Sequence, residues 1–160
     1  MAKFGKFLPL VIVILIGVFF QLIFIAVDIR DTPIKAAVEF AKAYYMLDDD
    51  AMEKRICKKA LENGMVDDYL YHVRQKAENR GYEMAYYKSL LSDIHTEIIE
   101  LDDKTAKIKI VAEKRSAINP VYHLVGKLFN LTQAYEVEKT LYLVKEKDRW
   151  RVCTPLLDHV

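Results

Sequence analysis

Charge imbalance is missing from this sequence: 24 Lys and Arg stand against 23 Asp and Glu, for a formal net charge of +1. With no basic stripe and no interleaved aromatics, no nucleic-acid partner is expected. Cysteine is scarce as well, with 2 residues, Cys57 and Cys153. No CxxC and no Cys/His spacing occurs, so the common zinc frameworks are excluded and neither metal nor cofactor is expected. No catalytic motif rises above background, and the chain reads as a non-enzyme before it reads as an enzyme. The two cysteines allow a single disulfide or two buried thiols.

Charge is also missing from one long run. "FLPLVIVILIGVFFQLIFIAV", Phe7 to Val27, holds no charged residue and one strongly polar one, Gln21. As a helix it would reach roughly 31 Å, enough for a hydrocarbon core. A cleaved signal peptide fits poorly: with Ala26 before the cut, the −3 position is Phe24, which is bulky. The exit "LIFIAVDIRD" carries no cysteine for a lipoprotein. Lys3 and Lys6 precede the run, and Asp28, Arg30 and Asp31 follow it. The expectation is therefore a cytoplasmic 1–6 and an uncleaved anchor over 7–27, with the lipid bilayer as its partner. It places the protein in the inner membrane as a single pass, with the C-terminal domain outside, in the periplasm. Gly17 and Gln21 share a helix face, as a helix contact or as an incidental pair in lipid.

The rest of the chain has ordinary composition and length for one core. "DTPIKAAVEFAKAYYMLDDD" predicts an amphipathic helix, capped by Asp31 or Thr32 with Pro33 in its first turn. Its apolar line is Ile34, Val38, Ala41 and Tyr45, beside Ala37 and Tyr44. "DDDAMEKRICKKALENG" predicts a second, shorter helix with Met52, Ile56 and Ala60 inward, closed by Gly64. "MVDDYLYHVRQKAENRG" predicts a third, with Val66, Tyr69, Leu70, Val73 and Ala77 inward. From Tyr82 the period becomes 2. Two hairpins are expected, one around "DDKT" and one around "KEKD". Ala106, Ile108, Ile110 and Ala112 form an inward face, as do Val137, Leu141 and Leu143, then Trp150 and Val152.

Helices followed by antiparallel strands imply an α+β domain over 32–153, with a tail at 154–160. The closing "TLYLVKEKDRWRV", Thr140 to Val152, and the opening "PIKAAVEFAKAYYMLDDDAMEKRIC" resemble the nuclear transport factor 2-like (cystatin-like) superfamily. That resemblance implies three helices packed on a curved, cone-like antiparallel sheet, here preceded by one transmembrane helix. It says little of activity, because such scaffolds host many. An anchor followed by such a domain is also similar in layout to bitopic assembly components of type IV secretion machines. That implies protein–protein contact in an envelope complex.

Enzymes on this scaffold work inside the cone. Asp93 and His95 share a strand face and form a weak candidate acid/base pair. The alternation puts Ile94, Thr96 and Ile98 toward the core, and Asp93 and His95 in solvent. Tyr44, Tyr86 and Tyr87 are further inward candidates; the paired tyrosines suit a cone rim, an interface or a cavity wall. "INPVYHLVGKLFN" is unusually apolar. Val121, Tyr122, Leu124, Leu128 and Phe129 either cover the sheet end or form a partner surface. Trp150 and Val152 inward would turn Cys153 outward, away from a Cys57 packed inside the cone. The leading expectation is a membrane-anchored, non-catalytic interaction domain that contacts other membrane or envelope proteins or a second copy of itself. The alternative is a tethered domain with a small-ligand-binding or hydrolase- or isomerase-like pocket.

Overall fold

The computed structural model describes the backbone of residues 8–28, 30–116 and 134–156, and side chains over 11–21, 30–116 and 134–156. The chain divides into two compact units, Met1–Asp31 and Thr32–Val160.

The first unit holds α1, Leu8–Asp28. Among the described residues no helix is long and apolar enough to cross a membrane. The expected inner-membrane, single-pass localisation with a periplasmic domain is corrected on this finding, and with it the transmembrane helix placed before the fold.

The second unit is α+β. Helix α2, Pro33–Met46, starts where the sequence predicts. Thr32 Oγ1 accepts from the Lys35 N–H at 3.2 Å, Pro33 fills the first turn, and Leu47 ends the helix in the left-handed region. Its buried face is Ala36, Ala37, Phe40, Ala41, Ala43 and Tyr44, while Ile34 is exposed. The helix is thus rotated relative to the predicted line, and its small residues let it approach the sheet closely.

The expected second helix is two: α3, Asp49–Arg55, and α4, Lys58–Glu62. Between them Ile56 is extended, and the Cys57 N–H donates to the Val152 C=O at 2.8 Å instead of continuing the helix. Helix α5, Met65–Glu78, buries Val66, Tyr69, Val73 and Ala77, four of the five residues its pattern names. A 3₁₀ turn, Met84–Tyr87, leads into the sheet.

The sheet is antiparallel in the order β1 (Ser89–Leu101), β2 (Thr105–Ser116), β3 (Tyr135–Glu146), β4 (Arg149–Val152). Lys147 and Asp148 both have positive φ, 47° and 63°, and make the tight turn of the last hairpin. The predicted inward residues Ala106, Ile108, Ile110, Ala112, Leu141, Leu143, Trp150 and Val152 are all buried against the helices. The domain does not stop at Cys153. Thr154 Oγ1 accepts the Tyr142 N–H at 2.7 Å, and Leu156 is buried in the core.

Cys57 and Cys153 form a disulfide, with Cα atoms 5.3 Å apart. Cys57 is buried in the core, as expected, yet alternation does not separate the two cysteines. Ile56 pairs with Val152 as a parallel bridge at the edge of the sheet. The residues after each partner, Cys57 and Cys153, then fall side by side on one face.

Candidate functional site

The weak catalytic pair does not assemble a site. β1 bulges between Ser92 and His95, and Asp93 takes φ 51°. Asp93 and His95 side chains are 70% and 74% exposed, with the ring Nδ1 3.9 Å from the carboxylate. Neither residue lines the cavities found among the described residues. Tyr86 is exposed, and the predicted interaction residues Val121, Tyr122, Leu124, Leu128 and Phe129 lie outside the described residues. Among the described residues, no group of three His, Cys, Asp or Glu is placed to hold a metal ion.

What the fold does build is a cavity of about 410 Å³ where the C-terminal end of α2 and one face of α5 meet β2 and β3. Four tyrosines wall it: Tyr44 and Tyr45 from α2, Tyr69 from α5, and Tyr87 from the 3₁₀ turn. Leu47, Val73 and Val137 add apolar surface, and Lys76, Lys114 and Lys139 bring charge. The spacing explains the convergence. Tyr69, Val73 and Lys76 share one helical face at four and three residues apart. Lys114 and Lys139 continue the inward parity of β2 and β3, past Ala112 and beside Val137.

The tyrosines are fixed to the scaffold. Tyr44 and Tyr69 stack at 4.3 Å between centroids, and Tyr45 meets Tyr44 edge-on at 5.2 Å. The Tyr69 hydroxyl donates to the Tyr44 C=O at 3.2 Å, near the end of α2. The Tyr44 hydroxyl donates to the Leu156 C=O at 3.3 Å, and that of Tyr87 to the Lys76 C=O at 3.5 Å. Burial pushes Tyr44, Tyr45 and Tyr69 above the ordinary phenol range, so these hydroxyls stay neutral.

The lysines set the sign of the site. Lys139 Nζ is buried, 3.8 Å above the Tyr44 ring, and Lys114 Nζ is 5.2 Å from the Tyr45 ring. These are cation–π distances, which let an ammonium sit partly desolvated. Burial first, then the Lys76 ammonium, holds Lys114 below the usual lysine range. Glu138 is the carboxylate among the described lining residues, and it pairs with Lys109 at 2.8 Å. Lys76 and Lys114 make no ion pair among the described residues. The cavity is therefore aromatic, net positive, and without a histidine or an uncommitted carboxylate among those residues. It is suited to holding an anion and poorly suited to moving protons.

The sequence named Tyr44 and Tyr87 but not the lysines. The signal for Lys114 and Lys139 was their parity: charged residues on the inward register of two strands. No protein-family model matches the chain, and no curated protein matches it.

Proposed function

We propose that Thr32–Val160 is a non-catalytic binding domain that holds a small anionic ligand with an apolar or aromatic body. One observation carries the proposal. Lys76 and Lys114 line a tyrosine-walled cavity, and neither is paired with a carboxylate among the described residues. The size supports it, since about 410 Å³ lies within the range of small-molecule sites. The tyrosines support it too: they give the wall an aromatic surface, and the hydrogen bonds of Tyr44, Tyr69 and Tyr87 preserve its shape. This reading keeps the pocket of the alternative expectation and drops its hydrolase or isomerase chemistry. The nuclear transport factor 2-like resemblance is part of the same proposal. Its support is the order of elements, helices before two antiparallel hairpins, and the Thr140–Val152 hairpin itself.

The test is calorimetric titration of the full chain with an arylalkanoate as a monocarboxylate probe, beside Lys114→Met. A charge-assisted contact is worth roughly 1.5–3 kcal/mol, so the variant should bind about tenfold or more weakly. Absence of binding to the unaltered chain, or equal affinity in Lys114→Met, overturns the proposal.

A further inference from the structure

A second depression lies on α5, with a volume of about 440 Å³, lined by His72, Gln75, Lys76, Asn79 and Arg80. His72, Gln75 and Lys76 recur three and four apart on one face of α5, and Asn79, its C-cap, and Arg80, in the turn that follows, line the groove past the helix end. Lys76 lines both this groove and the tyrosine cavity, so the two meet at its side chain. The groove differs from the cavity in kind. It has no aromatic wall, and its described lining offers a guanidinium, an ammonium, two amides and an imidazole, with no carboxylate. The acids of α5 are elsewhere: Asp67 and Asp68 are in its first turn, and Glu78 falls between Lys76 and Arg80 on another side of the helix.

We infer that the ligand is a dianion: its ring body and first carboxylate occupy the cavity beside Lys114, and a second acidic group lies at the C-terminal end of α5, between Lys76 and Arg80. This rests on the cavity reading and goes further, because it gives the ligand a length, a direction and a second charge. Lys76 is the hinge of the arrangement. Burial first, and the Lys76 ammonium second, hold Lys114 low, and anionic groups on either side of Lys76 offset the second of these. Arg80 supplies the planar fork that takes a carboxylate through two N–H donors, with the Asn79 amide beside it.

The experiment titrates the full chain with two probes that share an aryl group. One is the arylalkanoate monocarboxylate; the other carries a second carboxylate on a flexible alkyl chain. An exposed charge pair is worth up to roughly 1 kcal/mol, so the dicarboxylate should bind about fivefold more tightly at low salt. That preference should shrink at high ionic strength. Arg80→Met should abolish it while leaving the monocarboxylate unchanged, and Lys114→Met should weaken both probes. Equal binding of the two probes, with Lys114→Met still weakening both, overturns the dianion and leaves the cavity reading standing. A preference that survives Arg80→Met also overturns it. Failure of both probes to bind overturns the two together.

Discussion

At the scale of single residues, Tyr69 joins the fold to the cavity. Its ring stacks on Tyr44 and its hydroxyl donates to the Tyr44 C=O, one of the last carbonyls of α2. Helix ends leave such carbonyls short of partners, and here the Leu47 N–H reaches the same oxygen only at 3.4 Å. Tyr69→Phe keeps the ring and removes the donor. The expected loss is about 1 kcal/mol, or roughly 3 °C in melting temperature. A shift under about 1 °C would show that the hydroxyl contributes nothing. The sequence made Tyr69 legible as a buried helix residue, because spacing reports burial. It could not report what the hydroxyl meets, since Tyr44 is brought close only by tertiary packing. Lys114 and Lys139 were hidden for another reason. Lys114 ends the inward register of β2, where the strand looks ready to leave the core, and Lys139 interrupts that of β3 between Val137 and Leu141. Here the strands run on and carry the charge into a cavity.

At the scale of elements, the break between α3 and α4 is the largest departure from the pattern. Met52, Ile56 and Ala60 are spaced for one continuous helix, and all three are buried. Helical spacing predicted their burial but not the path between them. The last hairpin takes over the broken ends. Arg151 Nη1 donates to the Ile56 C=O at 3.1 Å, and the Glu146 carboxylate accepts from the Lys58 N–H at 3.2 Å. These are long-range partners with no local signature, so tertiary structure wins over helix propensity. The disulfide locks the same junction, closing a loop with a sequence separation of 96. Cross-links over loops of that order stabilise by roughly 2–4 kcal/mol, chiefly by restricting the unfolded chain. Cys153→Ser should therefore lower the melting temperature by about 10 °C. Unaltered protein melted under reductant should fall to the same value. Identical melts with and without reductant would mean that the link adds nothing to stability.

At the scale of the whole molecule, the buried core from Ala36 to Leu156 belongs to the second unit. That unit also holds its own starting cap, Thr32, and its own disulfide. Domains with a closed core of this kind fold as independent cooperative units. The sheet edges are guarded within the unit as well. β1 carries two register shifts, after Ser92 and after Ile98, while β4 is only 4 residues long and has Ile56 beside it. Bulges and short strands of this sort discourage pairing with another chain. A fragment beginning at Thr32 should thus melt in one transition, within about 2 °C of the full chain by near-ultraviolet circular dichroism. It should also bind the arylalkanoate with the same affinity, because every described residue of the cavity lies inside it. A fragment that lacks a cooperative transition would show that residues before Thr32 are needed for the core. One that folds but binds differently would assign them a part in the site.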